Sequence, residues 1–319
     1  MNTRRQWILR VLVSAGLLGG LVWAIGPDAI TGIRVRQWGW LPAVVVLANL
    51  DRLLMAYKWS LLLAALGLRP GFRSILASYY SGTLWGALLP MSVGADLVRG
   101  VHLHGAGASG RSIAASIIME RLLGVVASLI VGLISVILAV TLVGAGLIAL
   151  GVLLALGCTA MLLVIAGLLT SRRFAWAVVV TLRRVRRGWA MRLTSAHRAL
   201  RRYRHSRGTL ARFTGLSVLE QWLPAVCDWC VARALGFDVP LWSFVVFVPL
   251  ILAAARIPLT VGGLGLREGL YVYLFGYASV APAAALAVGL SAYVLSLLAL
   301  LPVQFVLTWL PTSKPTPGR

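Results

Sequence analysis

The sequence predicts an all-α polytopic membrane protein, and three observations lead to that prediction. Of the 319 residues, 60% are hydrophobic and only 12% are charged, whereas soluble domains are nearer half apolar and a quarter charged. The mean hydropathy is +0.91. Several apolar runs reach the length of about 20 residues that a helix needs to cross the hydrocarbon core. A large soluble domain is therefore excluded.

Apolar runs divide the chain into about six full transmembrane helices. The first run, 11–27, follows a basic start as a signal peptide would, but no clear small-x-small cleavage site follows it, so we interpret it as a retained span. Residues 122–170 carry no charge, which leaves room for two spans separated near Gly144 and Gly146. The remaining predicted spans are 40–66, 213–235, 241–255 and 283–310, with a further apolar stretch from Gly269 onward.

The distribution of arginine predicts the orientation. Residues 172–212 contain 13 Arg and no acidic residue, so the positive-inside rule places this segment in the cytoplasm, together with the basic N-terminus. The loops that contain Arg69 and Arg111 are interpreted as cytoplasmic too, so the segment 74–104 between them must enter the membrane and return to the same side. If the C-terminus is also cytoplasmic, counting the membrane crossings in the same way makes segment 241–281 a second re-entrant hairpin. This hairpin starts from the opposite face of the membrane.

We therefore predict a single transmembrane domain, 1–310, built from about six full spans and two re-entrant hairpins, or from eight or more helical segments. Residues 311–319 are predicted to form a disordered tail. The two hairpins would be corresponding parts of an inverted repeat, a plan that recurs in transporters with the substrate bound near the membrane midplane.

Matching sequence supports the inverted repeat. The first hairpin contains LPMSVGADLVRG (89–100) and the second contains IPLTVGGLGLREG (257–269). A chance match in a glycine-rich chain is the alternative, but the orientation argument is independent of it. At a constant offset the matched residues are Pro90, Ser92, Val93, Gly94 and Arg99 in the first stretch and Pro258, Thr260, Val261, Gly262 and Arg267 in the second.

The residues of this motif are those that break a membrane helix. Proline removes a backbone donor and disfavours helix at the preceding residue, and glycine permits tight turns. A restarted half-helix would direct free N–H groups at a cavity, and Arg99 and Arg267 would add donor forks that suit phosphate. Simple packing kinks are the alternative. The predicted breaks are Pro90, Gly94, Pro258, Gly262, Gly263 and Gly265.

Ionisable side chains within spans are costly and are therefore candidates for function. Glu120 would pair with an arginine of the first hairpin, and Glu268 with Arg256 or Arg267. Ion pairing alone is one interpretation, since buried charges must pair in any membrane protein; pairing that also lines a headgroup path is the other. The complete set is Asp51, Arg52, Lys58, Asp96, Arg99, Glu120, Arg121, Glu220, Asp228, Arg256, Arg267 and Glu268.

The sequence contains no recognisable arrangement for covalent chemistry. It has no G-x-S-x-G, H-E-x-x-H or phosphate-loop pattern, so we predict a protein that is not an enzyme and needs no cofactor. Three cysteines and four scattered histidines indicate no metal site. Cys227 and Cys230 lie one helical turn apart in a span and are interpreted as small packing residues.

The segment 172–212 is predicted to contain an amphipathic helix. Between 182 and 203 its apolar residues recur at three- and four-residue steps, with arginines around the rest of the helix. That pattern is typical of a helix in the headgroup plane, attracted by anionic lipid. A topology signal alone is the other interpretation, and nucleic-acid binding is disfavoured because no recognition fold accompanies the basic run.

Three blocks in this order resemble the lysylphosphatidylglycerol synthase transmembrane family, also called flippase-like membrane proteins. The resemblance implies an integral protein of the bacterial inner membrane, associated with lipid translocation or modification. The blocks are LLPMSVGADLVRG (88–100), SIIMERLLG (116–124) and RIPLTVGGLGLREG (256–269). The family's polar positions map onto Asp96, Arg99, Glu120, Arg121, Arg267 and Glu268, and the predicted headgroup site also includes Arg256.

We therefore expect a lipid transporter or flippase that holds a phospholipid or other anionic headgroup while the tails stay in the bilayer. Longer members of the family also carry a soluble aminoacyl-transferase domain; since this chain stops at Arg319, we expect no lysyl-phosphatidylglycerol synthesis. The alternative is a non-transporting membrane subunit that docks a lipid-modifying or glycosyltransferase enzyme through the Arg-rich segment. Membrane lipids are the expected partners, nucleic acid is not, and the sequence leaves open whether the chain forms a homo-oligomer.

The predicted topology can be tested by cysteine labelling. Residues 105–111 and 170–212 should be cytoplasmic, whereas 27–37 and 236–240 should face the periplasm. A cysteine at Ser109, in a chain whose own cysteines are replaced by alanine, should react with a membrane-impermeant maleimide only after the cells are permeabilised. Labelling from outside intact cells would exclude the re-entrant hairpin and the inverted repeat together.

Overall fold

The structure is a computed structural model that describes residues 3–26, 33–88, 94–105, 109–144, 206–255 and 263–309, with the single residues 156, 159, 202, 203 and 260. Over these residues the fold is all α, which confirms the predicted fold class. The helices are α1 Thr3–Ile25, α2 Leu41–Ala65 after a 3-10 turn Trp38–Trp40, α3 Phe72–Leu88, α4 Gly94–Gly105, α5 Gly110–Val143, α6 Arg207–Glu220, α7 Leu223–Ala234, α8 Leu241–Ala255, α9 Leu266–Gly276, α10 Pro282–Leu298 and α11 Leu301–Trp309.

Three stretches of the described chain are long and apolar enough to cross a membrane. They are Trp38–Ala65, Gly110–Leu142 and Pro282–Leu307, which contain α2, α5 and the pair α10–α11. The apolar parts of α1 and α8 are shorter. α5 ends at Val143 and is followed by Gly144, near which the sequence predicts the end of the first half of the double span 122–170. The second half lies almost entirely outside the described residues.

The predicted span 213–235 forms two helices instead of one. α6 ends at Glu220 and α7 begins at Leu223, so Gln221 and Trp222 interrupt the helix. Pro224 in the first turn of α7 lacks the N–H group that a continuous helix would use there. The sequence pattern missed this break because the apolar run continues through it. The break leaves the carboxylate of Glu220 inside the bundle, where the residue is 9% exposed.

α3 and α4 pack against each other as an antiparallel hairpin that corresponds to the predicted segment 74–104. Ile75, at the start of α3, and Leu103, near the end of α4, share a buried cluster with Leu63 of α2 and Ile113 of α5. Both ends of this hairpin therefore lie at the end of the bundle where α2 ends. With 17 and 12 residues, the two helices are about 25 and 18 Å long, shorter than the hydrocarbon core of about 30 Å.

α8 and α9 form a second antiparallel hairpin, within the predicted segment 241–281. Phe244 near the start of α8 contacts Phe275 near the end of α9, with ring centroids 4.7 Å apart. At this same end, just before α2 begins, the N–H of Arg36 donates to the carbonyl of Ala234 at 2.9 Å. The second hairpin therefore opens at the end of the bundle where α2 begins. The two hairpins thus enter from opposite ends, as an inverted repeat requires.

Glycines allow each hairpin to approach its neighbours closely. A Cβ atom on Gly82 of α3 would lie 2.6 Å from Cγ of Arg99 and 2.9 Å from the carbonyl oxygen of Ala95, both in α4. Gly265, at the start of α9, has a φ of +83°, and a Cβ atom there would lie 2.8 Å from Cβ of Leu17 in α1. A larger residue at either position would push the helices apart.

Most of the predicted amphipathic segment 172–212 and the whole predicted tail 311–319 lie outside the described residues. Tyr203, the last residue of the predicted apolar stripe, is fully buried, and its hydroxyl donates to the carbonyl of Leu62 at 2.9 Å. It packs beside Met119 and Phe213. This end of the segment is therefore held against the helix bundle.

Gly82→Ala should destabilise the protein by about 1–3 kcal/mol, because the added methyl group must displace the backbone of α4. Gly16→Ala is the matched control, since no atom lies within 4 Å of a Cβ built on this helical glycine. The control should be neutral or slightly stabilising. Thermal unfolding in detergent measures both, and equal melting temperatures for the two variants would contradict the close packing of α3 on α4.

Candidate functional site

Two adjoining cavities lie inside the bundle, between the two hairpins. The larger cavity has a volume of about 580 Å³ and is bounded mainly by α2, the break between α6 and α7, α8, α9 and α10. The smaller cavity has a volume of about 250 Å³ and is bounded by α2, α3, α4, α5 and α6. Their shared wall consists of Arg52, Met55, Thr83, Ala95, Glu220 and Gln221.

Arg99 of α4 is held on every side in the smaller cavity. Its guanidinium lies 2.6 Å from Oδ1 of Asp96 and 3.0 Å from Oε2 of Glu120, and its side chain is only 6% exposed. The rings of Trp59 and Tyr79 lie 4.9 and 4.5 Å from the guanidinium carbon. Cation–π contacts of this kind strengthen when water is excluded. Arg99 therefore has a fixed position and a fixed orientation.

Asp96 joins two arginines, because it accepts from Arg99 through one oxygen and from Arg121 through the other. The two arginines differ in burial: the side chain of Arg121 is 54% exposed. The hydroxyl of Tyr79 donates a hydrogen bond to the carboxylate of Glu120. Among the described residues, the lining of the smaller cavity carries four cations and three carboxylates, and the fourth cation, Arg52, is paired with Asp51 outside that lining.

Lys58 of α2 and Glu220 of α6 form an ion pair on the wall of the smaller cavity. The Nζ atom lies 2.7 Å from Oε2 of Glu220 and 3.0 Å from Oγ of Ser217, to which it donates. Only 4% of the Lys58 side chain is exposed. This pair ties α2 to the end of α6, immediately before the helix break.

Arg52 lies where the two cavities meet. Its guanidinium pairs with the neighbouring carboxylate of Asp51, to which Nε donates at 2.9 Å, and Nη1 lies 3.4 Å from Oγ1 of Thr83. The side chain is 26% exposed, against 6% for Arg99. Arg52 is therefore the more accessible of these two arginines to a molecule in either cavity.

Arg267 of α9, in the second hairpin, lines the larger cavity. It pairs with Glu268, with Nε 3.3 Å from Oε1, and donates to the carbonyl of Gly289. The ring of Tyr293 lies 5.0 Å from its guanidinium carbon. The carbonyl of Gly289, the carboxylate of Glu268 and the ring of Tyr293 together fix the orientation of the Arg267 side chain.

Two further carboxylates flank Arg267 in different roles. Glu268 is fully buried, and its Oε2 accepts from the N–H of Gly265 at 2.7 Å, which caps the start of α9. This cap occupies the helix N-terminus that the sequence predicted for a ligand. Asp228 of α7 lines the larger cavity and accepts a hydrogen bond from Tyr271. Tyr271 thus ties α9 to α7, whereas Glu268 caps the start of its own helix.

The structure brings most of the predicted headgroup residues into these cavities but divides them between two compartments. Asp96, Arg99, Glu120 and Arg121 line the smaller cavity, Arg267 lines the larger one, and Glu268 lies behind Arg267 outside both linings. Arg256, Pro90, Pro258 and Gly262 lie outside the described residues. Gly94 begins α4, and Gly263 and Gly265 both have a φ of +83°.

The predicted site omitted Asp51, Arg52, Lys58, Glu220 and Asp228, although each is an ionisable residue in an apolar run. A further signal was present for α2, because Asp51 and Lys58 are seven residues apart and so share one face of the helix. Cys227 and Cys230, in the described part of the chain, are free and buried; Cys227 reaches the lining of the larger cavity.

Arg99→Ala should destabilise the protein by about 3–5 kcal/mol, because it removes the buried cation that pairs with Glu120 and one of the two cations that pair with Asp96. Arg121→Ala is the matched control: it removes a cation from the same Asp96, but from a half-exposed side chain, so the loss should stay under about 1 kcal/mol. Melting temperatures in detergent report both. If Arg121→Ala lost as much stability as Arg99→Ala, burial would not determine how much each ion pair of this cluster contributes to stability.

No curated protein gives a significant match to the chain. A family model described as the lysylphosphatidylglycerol synthase TM region matches residues 7–303, which include both hairpins and every helix that bounds the two cavities. The chain therefore belongs to the lysylphosphatidylglycerol synthase transmembrane family, as an integral, multi-pass membrane protein of lipid metabolism or transport.

Proposed function

We propose that this protein is a flippase-like transporter that moves an anionic lipid headgroup through the two cavities while the acyl chains stay in the bilayer. The observation that carries the proposal is the meeting of the two cavities at Arg52 and Glu220, between hairpins that enter from opposite ends. A headgroup passing from one compartment to the other would stay in contact with charged side chains throughout. Its largest barrier, exposure to hydrocarbon, would thereby be reduced.

The lining of the larger cavity supports an amphiphilic ligand. Its lining combines Arg52 and Arg267 with apolar side chains, among them Leu252 of α8, Leu297 of α10 and Leu300. A volume of about 580 Å³ falls within the range of small-molecule sites, about 300–1,000 Å³. A phosphate bound by the arginines would leave the apolar side chains of the lining for the start of the acyl chains.

Arg52 and Arg267 are the residues proposed to contact the phosphate. Both face the larger cavity, and both are partly exposed, with 26% and 13% of their side chains accessible. Each keeps its charge when desolvated and presents a planar donor fork. Asp51 and Glu268 compensate these charges when no headgroup is present.

We also propose a place in the bacterial inner membrane with a cytoplasmic N-terminus, supported by the 13 arginines of residues 172–212. A transport role is proposed in preference to a catalytic one because the charged groups of the cavities are arranged in compensated pairs. The rival role, a membrane subunit that docks a lipid-modifying enzyme, needs no cavity between the hairpins.

Arg267→Lys should slow lipid movement about tenfold or more, since it keeps the charge but loses a bidentate contact worth about 1.5–3 kcal/mol. The measurement uses purified protein in liposomes containing fluorescent phosphatidylglycerol, with a membrane-impermeant reductant that quenches headgroups in the outer leaflet. The protein should make inner-leaflet headgroups accessible, which protein-free liposomes would not.

Arg233→Lys is the matched control for this assay. Arg233 also pairs with a carboxylate, that of Asp238, and lies 6.0 Å from the ring of Trp229, but it is outside the lining of both cavities. Its variant should move lipid at the wild-type rate. Folded wild-type protein that moves no lipid would support the docking subunit, and wild-type rates in Arg267→Lys would remove Arg267 from the proposed site.

A further inference from the structure

Arg121 of α5 is a charged side chain on an apolar outer surface of the bundle. Its side chain is half-exposed, although it pairs with the buried carboxylate of Asp96 at the start of α4. Leu97 and Val101 of α4 and Val125 of α5 are exposed as well. Val125 lies one turn from Arg121 on the same face of α5, and Leu97 directly follows Asp96. In a multi-pass membrane protein, exposed apolar side chains of this kind contact the acyl chains of the bilayer.

The same arginine also lines the smaller cavity. One side chain therefore borders both the apolar outer surface and the polar compartment inside the bundle. A lipid whose headgroup enters the cavity while its acyl chains stay outside needs an opening between two helices, and Arg121 lies where α4 and α5 meet. Because a charged side chain is costly at a surface covered by hydrocarbon, this position indicates a function.

The contact between α4 and α5 differs along its length. Near the base of the first hairpin it is apolar, since Leu103 of α4 and Ile113 of α5 belong to one buried cluster. Near the tip of the hairpin, where α4 begins, it includes the ion pair between Asp96 and Arg121. A phosphate can take the place of a carboxylate at an arginine, because both present oxygen acceptors to the same donor fork. The tip is therefore the end of this contact that an anionic headgroup can open.

Asp96 keeps a cation when Arg121 leaves it. Its Oδ1 atom lies 2.6 Å from the guanidinium of Arg99, and its Oδ2 atom pairs with Arg121. A phosphate that takes over Arg121 thus leaves Asp96 paired, and the penalty for a buried carboxylate without a partner does not arise. Arg121 is therefore suited to exchange its carboxylate for a phosphate.

We propose that the contact between α4 and α5 is a lateral entrance to the smaller cavity and that Arg121 is the first residue to bind the phosphate of the incoming lipid. The occupant is an anionic phospholipid, whose phosphate replaces Asp96 at Arg121 while its acyl chains lie against Leu97 and Val101. The inference rests on the proposed transport function, to which it adds the place of entry and a binding residue. From Arg121 the headgroup passes through the smaller cavity to Arg52, where the two cavities meet.

Lipid at this entrance can be measured without any transport assay. A bimane fluorophore on Leu97→Cys, in a chain whose own cysteines are replaced by alanine, is quenched in nanodiscs by lipids with brominated acyl chains. Phosphatidylglycerol should have an association constant about two- to fivefold higher than phosphatidylcholine, whose phosphate is neutralised by its own ammonium group. Arg121→Gln should abolish this preference, because the amide carries no charge.

Bimane on Ile137→Cys is the matched control. Ile137 is exposed on the same helix, about 24 Å along its axis from Arg121, and it is outside the linings of both cavities. The two brominated lipids should quench this fluorophore equally, with or without Arg121→Gln. Equal quenching by the two lipids at Leu97→Cys, or a preference there that survives in Arg121→Gln, would overturn the role of Arg121.

The entrance can also be locked by a cross-link. A Cβ atom on Gly100 of α4 would lie 3.8 Å from Cδ1 of Ile117 in α5, so a short bismaleimide can join cysteines at these positions. Cross-linking Gly100→Cys to Ile117→Cys in the same cysteine-free chain should reduce the movement of fluorescent phosphatidylglycerol to that of protein-free liposomes, because α4 can no longer separate from α5. Cross-linking Ser81→Cys to Gln304→Cys, which joins α3 to α11 where these side chains are 3.1 Å apart, should leave the rate unchanged.

The possible results separate the entrance from the transport function. A protein locked between α4 and α5 that moves lipid as fast as before cross-linking would overturn the entrance. If the protein moves no lipid even before cross-linking, the transport function is refuted. The bimane measurement then still decides whether Arg121 binds an anionic lipid at this surface.

Discussion

Charged groups inside an apolar helix bundle must be compensated, and the positions of the central helices follow from that requirement. α2 carries Asp51, Arg52 and Lys58 through the middle of the protein, and Lys58 finds its partner on α6. Arg99 of α4 is compensated from its own helix and from α5. The pairs that join two helices, Lys58–Glu220 and Arg99–Glu120, fix the depth and rotation of those helices, because a buried charge that loses its partner costs several kcal/mol.

The same charged side chains line the two cavities. Arginines and carboxylates in a low-dielectric interior need directional partners, so they do not fill space as close-packed apolar side chains do. Small residues let the helices approach each other closely, as Gly82 does between α3 and α4. Polar contacts around the cavities and close packing at glycine therefore occur along the same helices.

The two hairpins are related in direction but differ in detail. Both enter the bundle as short antiparallel helix pairs and return to the end from which they came. However, α4 begins at Gly94, with Arg99 well inside the helix, whereas α9 begins at Leu266, so that Arg267 lies in its first turn. As a result, Arg99 is surrounded by aromatic rings and carboxylates, whereas Arg267 lies on the wall of the larger cavity. Two copies of one motif thus provide a structural and an accessible arginine.

The sequence by itself determined the all-α membrane class of the protein and the placement of most helices, because hydrophobic length is a local property that a bilayer constrains strongly. The re-entrant course of the two hairpins and the orientation indicated by the arginines stay predictions. It also indicated the ionisable residues of the site, since each stands out in an apolar run. Only the tertiary structure decided which charges meet: Lys58 and Glu220 are separated by 162 residues, and no pattern of spacing links them. Likewise, the break after Glu220, the capping role of Glu268 and the division into two cavities depend on contacts between helices that are far apart in the chain.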